Sequence, residues 1–400
     1  MSWQIIPGVY WVGVKDWERK IFDALIPLPQ GTSYNAYLVV GEKATALIDT
    51  VNPGFEEDLW QKISAVVDPT TVDYVIMNHA EPDHAGALPW ILAHAPKAKV
   101  LLTEKGREMA LRLYHLSPER MEIVRDGDSL DLGGKTLHFV EVPFVHWPET
   151  MFTFLPEGRI LFPCDFFGAH TAKGFYADGV PDIEKLAKSY FGEIMMPYRR
   201  AAQRALAKAL ELKPAIIAPS HGPIWFDPMP ILTWYEKWTA GETEPKVLIA
   251  YVSMWGATEK LIQIAMDSLQ AAGVKVTVYD LVRADLGALC AELVDSRALV
   301  FGAPTVLGGL HPLAAFVLDL IRALKPPVRF VLFLSSHGWA GGATRHFQEA
   351  LASLDAELLG LVDVPGHPGL QEEEQVRTLS QNLAQKVSSG TCLASEKTFC

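Results

Sequence analysis

No two cysteines are spaced C-x-x-C: Cys164, Cys290, Cys392 and Cys400 stand apart from one another in a chain of 400 residues. That spacing gives neither a disulfide framework nor an iron–sulfur or rubredoxin-type site, so any redox capacity must come from another group. Positive charge is in deficit, 35 basic residues against 47 acidic ones for a net charge of −12, which argues against broad binding of nucleic acid or anionic membrane. No apolar run is long enough to cross a bilayer. The opening stretch MSWQIIPGVYWVG has no basic region followed by an apolar core, so no secretion signal is expected and a cytoplasmic location is. Short-period repeats and low-complexity blocks are missing as well. What is there is a globular composition, 49% apolar and 20% charged, in a chain too long for one ordinary core.

The first 240 or so residues mix short β-rich runs with helical spacing. NAYLVV (35–40), ATALID (44–49), VDYVIMN (72–78), KVLLT (99–103), TLHFVEV (136–142) and RILFPCD (159–165) read as strands, with helical patterns in EEDLWQKISAVV and GALPWILAHA. TAGETEPK (239–246) reads as a linker. Beyond it the pattern becomes regular: VLIAYV, VKVTVYDL, ALVFGAP and RFVLFLSS are four strands with helices between, which implies a parallel sheet covered on both faces. The tail SSGTCLASEKTFC has little to bury and is expected to be disordered.

Chemistry concentrates in NHAEPDHAG, where His79, Glu81, Asp83 and His84 put four ligand-type side chains into six residues after a strand. A loop leaving a strand can aim alternate side chains at one point, which this spacing on a helix could not do well. His146 in PFVHWPE, Asp165 in FPCDFFG and His221 in APSHGPI each follow an apolar run, so each should emerge at the same edge. Taken alone, His146 or His221 would be read as an ordinary structural histidine, as His94, His115 and His138 are. Four histidines and three carboxylates together suit two metal ions with one shared carboxylate, for which Asp165 is the best candidate. Imidazole with carboxylate fits zinc, iron or manganese. Glu81 puts an anionic oxygen where a zinc hydrolase would use neutral imidazole, and a site weighted with carboxylates favours harder ions and stabilises the higher oxidation state of iron.

A second constellation lies in the regular half. Ser253, Met254, Trp255, Gly256, Ala257 and Thr258 form a hydroxyl-bearing turn between a strand and a helix, an anion site that needs no lysine. The stretches containing Pro304, Thr305, Val306, Leu307 and Gly308, and Ser336, His337, Gly338, Trp339 and Gly341, follow the third and fourth strands to the same carboxyl edge, where doubly wound sheets bind ligands. Trp255, Trp339 and His337 offer flat surfaces for an aromatic ring, or simply pack.

The order H-x-E-x-D-H, then His146, Asp165 and His221, with LIDT before and HWPETM and CDFFGAH after, resembles the flavodiiron proteins over nearly the whole chain. The resemblance implies an α/β chain of two domains: a metallo-β-lactamase-like αββα sandwich over residues 1–245 and a flavodoxin-like doubly wound parallel sheet over 246–388, then a tail at 389–400. It implies that His79, Glu81, His146 and bridging Asp165 hold one iron, and Asp83, His221 and Asp165 the other, with His84 bound in most members. Asp49 resembles a buried acid that steadies the ligand loop, although a turn or cap aspartate reads equally well. FMN would place its phosphate on 253–258 and its isoalloxazine between the next two loops. Leu307 and Gly308 stand where the family usually has asparagines, His337 where tyrosine is common and Ala257 where serine is.

The implied activity is reduction of dioxygen to water, nitric oxide to nitrous oxide, or both, with FMN and a di-iron centre carrying the electrons. The donor would be a separate partner, rubredoxin or a reduced deazaflavin, and the assembly a head-to-tail homodimer or dimer of dimers, with no nucleic acid or membrane involved. Tyr190 matches a family tyrosine lining the gas pocket, and Asp23 stands where relatives usually have histidine. Two rival readings are a binuclear zinc hydrolase of thioesterase type with a docking flavodoxin-like domain, and an electron-transfer or sensing flavoprotein with a structural metal. The first leaves Glu81 unexplained, and the second leaves the open coordination without purpose.

Overall fold

The computed structural model describes residues 2–389, and the chain divides into two compact units, Met1–Ala240 and Gly241–Cys400. The first is built on two facing sheets. Seven strands run in the order Trp3–Ile6, Val9–Trp11, Tyr37–Val40, Thr45–Ile48, Tyr74–Ile76, Lys99–Leu102, Met121–Ile123; five run Ser129–Asp131, Thr136–Glu141, Met151–Leu155, Ile160–Phe162, Ile216–Ile217.

The strand period of two sorts the side chains between layers. Tyr37, Val39, Ala46, Ile48, Ile76 and Leu101 join Leu137, Phe139, Met151, Leu155, Ile160 and Phe162 in one core, between the sheets. Their neighbours Leu38, Leu47, Val75, Val100 and Leu102 point the other way, onto Leu59, Ile63, Leu88 and Ile91 of the helices Glu56–Ser64 and Leu88–His94. Strands buried on both faces explain why these runs are apolar throughout rather than alternating with polar residues. On the outside of the second sheet, Lys208 of the helix Arg199–Leu212 donates to the Glu141 carbonyl (2.9 Å), and Tyr235 of Met229–Ala240 packs edge-on against Phe166 at 4.8 Å.

Gly241–Cys400 holds five parallel strands ordered Lys275–Asp280, Glu244–Tyr251, Ser296–Val306, Phe330–His337, Glu357–Pro365, with the helices Ala257–Ala271, Leu286–Leu293, Pro312–Leu324 and Ala343–Leu351 in the crossovers and Leu370–Ser389 after the last strand. The second strand in sequence lies outside the first, so the order reverses at Glu244–Tyr251, the switch point at which such sheets bind ligands.

Several sequence expectations need correction. The fifth strand escaped notice because ELLGLVDVP carries a glycine and an aspartate and only two of its residues are buried, as befits a sheet edge. The stretch 239–246 is hardly a linker: the preceding helix runs to Ala240 and the next strand starts at Glu244, whose register with Ser296 claims the residues. The third strand continues past Pro304 to Val306 and turns back through Leu307 (φ 50°) and Gly308 (φ 79°) to pair with Gly309–Leu310. Two consecutive positive φ values make this a tight hairpin turn of the kind that favours asparagine and glycine. Ser389, the expected start of the tail, ends the last helix; residues 390–400, with Cys392 and Cys400, lie outside the described residues. Among the described residues no helix is long and apolar enough to cross a membrane.

Candidate metal centre and cofactor loops

The strand Tyr74–Ile76 ends just before Asn78, and the donors follow. Asp83 and His84 do not sit on an extended loop as expected. Pro82 occupies the first position of a single helical turn, Pro82–Ala85, with Glu81 extended at its N-cap, and proline's fixed φ suits that position. The break between extended Glu81 and helical Asp83 is what sends neighbouring carboxylates to different places.

Two groups of donors result. His79 Nε2 lies 3.2 Å from Glu81 Oε2 and 3.4 Å from Asp165 Oδ2, while His146 Nε2 lies 3.1 and 3.6 Å from the same two oxygens. On the other side His84 Nε2 lies 3.3 Å from Asp83 Oδ1 and 3.0 Å from Asp165 Oδ1, and His221 Nε2 lies 3.2 Å from Asp83 Oδ2 and 3.4 Å from Asp165 Oδ1. One Asp165 oxygen therefore faces each group. Donors about 2.1 Å from a common ion sit roughly 3.0–3.4 Å from one another, so these separations fit the edges of two coordination shells.

Buried Asp83 Oδ1 and Oδ2, His84 Nε2 and His221 Nε2 have no well-directed hydrogen bond. Orphaned buried atoms are costly, and two cations would satisfy them. Protons take part of that role in the metal-free chain. Burial disfavours the charged His84 ring, but Asp165 and Asp83 carry its pKa up to about 9. Burial likewise opposes an ionised Asp165, yet the charge of His84 and the hydrogen bonds of His146 and His84 hold it well below the usual carboxylate range. Glu81 is held low in the same way by His146 and His79.

The far nitrogens of His79 and His221 are anchored, whereas His84 Nδ1 is buried with no hydrogen-bond partner. His79 Nδ1 donates to Glu149 Oε1 (2.7 Å), which also accepts from the Ala80 backbone N–H (2.8 Å). His221 Nδ1 donates to the Ser33 carbonyl at 2.7 Å. Such partners fix which nitrogen is free for a metal. Asp49 is buried and accepts from the Asn78 backbone N–H (2.9 Å) and side-chain amide (3.1 Å), directly ahead of His79; burial pushes its pKa up to about 6. Glu149 was visible in HWPETM but carried no spacing signal, and Ser33 acts through its backbone.

Tyr190 is buried and its hydroxyl donates to Asp165 Oδ1 at 2.8 Å; burial, reinforced by Asp165, keeps that hydroxyl protonated. Asp23 is exposed with φ 49°, and partial desolvation of its carboxyl, followed by the charge of Glu81, raises its pKa. His170, quoted within CDFFGAH but assigned nothing, lies against Tyr190 and His221. His94 stacks on Trp90 at 3.8 Å, away from any donor group.

The cofactor loops have a different character. Gly256 takes φ 84° at the head of the helix Ala257–Ala271 and offers no capping side chain, so N–H groups of the first turn other than that of Glu259 can receive an anion. Ser253 Oγ accepts from the Glu259 N–H (3.3 Å), and Thr258 Oγ1 is 2.9 Å from Ser336 Oγ, tying the first turn to the fourth strand. Thr305 Oγ1 accepts from the N–H groups of Gly342 (3.2 Å) and Ala343 (3.1 Å) and so positions the Ala343–Leu351 helix. His337 Nδ1 pairs with Asp363 Oδ1 at 2.9 Å, on the strand that sequence reading missed. Trp255, Leu307 and Trp339 are 85%, 101% and 97% exposed. A Cβ on Gly308 or Gly338 would meet nothing within 4 Å. The edge is open enough for a flat ring.

A sandwich bearing two donor groups on one shared carboxylate, followed by a flavodoxin-type sheet with an open carboxyl edge, defines a metal-dependent flavoprotein. Comparison with known proteins agrees. Residues 32–222 match the "ODP family beta lactamase" model and 249–379 the flavodoxin model. The chain is 38% identical to the nitric oxide reductase of Moorella thermoacetica over 89% of this chain and 90% of that one. It is 32% identical to the coenzyme F420H2 oxidase of Methanocaldococcus jannaschii over 96% of each. The solved rubredoxin oxygen:oxidoreductase of Desulfovibrio gigas superposes with a TM-score of 0.94 at 29% identity, covering 97% of this chain and 99% of that one. The flavodiiron protein of Giardia intestinalis superposes with a TM-score of 0.91 at 28% identity over 97% of each. The chain belongs to the flavodiiron family, and its cofactors are FMN and a non-haem di-iron centre.

Proposed function

We propose that this flavodiiron oxidoreductase reduces a diatomic gas, dioxygen or nitric oxide, at the centre formed around Asp165, with electrons from a separate donor. The observation that carries this reading is the division of Asp165, one oxygen facing each group, beside Glu81. His79, Glu81 and His146 would hold one iron, Asp83, His84 and His221 the other, and Asp165 both. When bound, the irons and FMN supply the electron-transfer chemistry.

The chain's own residues set the stage for it. Glu149 and the Ser33 carbonyl fix the His79 and His221 imidazoles, and Asp49 holds the strand end from which His79 leaves. Tyr190 keeps its proton and orients Asp165. On the flavodoxin side, 253–258 would take the phosphate and the loops at 304–308 and 336–341 the ring. Pairing with Asp363 would fix the orientation of His337 beside that ring.

The zinc-hydrolase reading is not favoured: similarity to the redox relatives spans both domains. Relatives named for rubredoxin and for coenzyme F420H2 support a rubredoxin or a reduced deazaflavin as donor. A cytoplasmic location and a head-to-tail dimer belong to the same reading.

Metal and flavin content per chain tests it, after expression with iron and purification without chelators. Two irons and one FMN are expected; zinc without flavin would overturn the proposal. Asp23 faces Glu81 and Asp83 electrostatically, and restoring the family's histidine with Asp23→His should change the ratio of dioxygen to nitric oxide turnover. An unchanged ratio would remove Asp23 from the pocket.

A further inference from the structure

His170 is 93% buried by its 7% exposure, and its two ring nitrogens are treated unequally by the fold. Nδ1 lies 3.0 Å from Thr32 Oγ1, while Nε2 has no hydrogen-bond partner. A proton inventory fixes which nitrogen carries the hydrogen. His221 Nδ1 faces the Ser33 carbonyl at 2.7 Å. A carbonyl only accepts, so that nitrogen is an N–H and cannot accept a second proton. Thr32 Oγ1 touches only His221 Nδ1 (3.4 Å) and His170 Nδ1 among its described contacts, so its hydroxyl hydrogen goes to His170 Nδ1. With Nδ1 accepting from Thr32, the ring hydrogen sits on Nε2, a buried donor with no hydrogen-bond partner among the described residues.

Such a group is costly to bury unless something arrives to pair with it. Its surroundings say where: its ring packs against His221 at 4.9 Å and Tyr190 at 4.8 Å, with Phe22 at 4.4 Å. His221 turns Nε2 toward Asp83, and Tyr190 reaches Asp165. We propose that His170 Nε2–H is a hydrogen-bond donor to the small molecule held at the Asp83–His84–His221 side of the centre. The ligand class is a diatomic gas or a small anion of similar size. Thr32 is the positioning residue, because its hydroxyl keeps the hydrogen off Nδ1. The inference rests on the di-iron reading of the centre and adds a polar contact that comes from neither a metal ligand nor Tyr190.

The test is an azide titration of the oxidised, iron-loaded full chain. The charge-transfer absorption reports affinity, and the infrared stretch of bound azide in H2O and D2O reports the hydrogen bond. His170→Leu should weaken azide binding about tenfold or more, the worth of one hydrogen bond to an anion, and should abolish the D2O shift of the stretch. His170→Gln, whose amide N–H can reach the same place, should stay within a few-fold of the parent. Thr32→Val should move with His170→Leu, since Nδ1 can then take the hydrogen. Iron is measured in every variant, and if His170→Leu fails to load, Thr32→Val against His170→Gln decides. Equal affinity and an equal D2O shift in all loaded variants would overturn the proposal, placing Nε2–H against an aromatic face instead. A parent chain that takes up zinc and no flavin would overturn the di-iron reading itself.

Discussion

The two halves of the chain prepare for their cofactors in opposite ways. Around Asp165 the side chains are buried or partly buried, and several are held by partners of their own, from Glu149 and Ser33 to Asp49 and Tyr190. At the sheet edge of the second half the candidate contacts are backbone turns and exposed aromatic side chains, with Trp339 and Leu307 almost wholly in solvent. A small ion gives few contacts and needs its donors placed in advance; a large flat cofactor brings its own surface and needs mainly an opening. The first half therefore carries the electrostatic cost of its site before any ion arrives, and the second does not.

The largest effect expected from that difference is a pH response confined to the metal-free first half. The raised pKa of His84 contributes stability that is full below its ordinary value near 6.5 and is lost as pH rises through about 9. The metal-free chain should thus lose stability on the order of a few kcal/mol between those pH values, read as a falling melting temperature. The iron-loaded chain should not, because its ligands are already deprotonated. A flat profile for the metal-free protein would mean that protons do not stand in for the ions.

Next in size is Glu149→Ala, which leaves every ligand in place but frees His79 Nδ1. Iron affinity, measured by chelator competition, should drop about 10–100-fold, with FMN binding unchanged. The smallest effect belongs to the open edge. A Cβ at Gly341 would come within 2.6 Å of Asp363 Oδ2, so Gly341→Ala should push that carboxylate off His337. FMN affinity, followed by flavin fluorescence, should weaken about 2–10-fold while iron binding stays constant.

The ligands were legible because they are clustered or follow apolar runs, and because metal chemistry admits few residue types. The first sheet was legible for a similar reason: strands buried on both faces leave continuous apolar runs such as TALI. What sequence reading missed acts by position in space. Glu149 is an ordinary glutamate until folding brings it 2.7 Å from His79, and Asp363 lies on an edge strand whose pattern is broken by Gly360. His170 stood in plain view beside Asp165, but its unpaired nitrogen is a property of the packed structure.

The parallel register that joins the short strand Ile216–Ile217 to Ile160–Phe162 has a consequence for how the protein is made. His79, Glu81, His146 and Asp165 all leave the ribosome before that strand does, whereas His221 follows it. The first group can gather its donors on a partial chain, but the second stays open until the last strand of its sheet has docked. Iron uptake should therefore be ordered in time, one ion ahead of the other, with the later one reporting that the sandwich has closed.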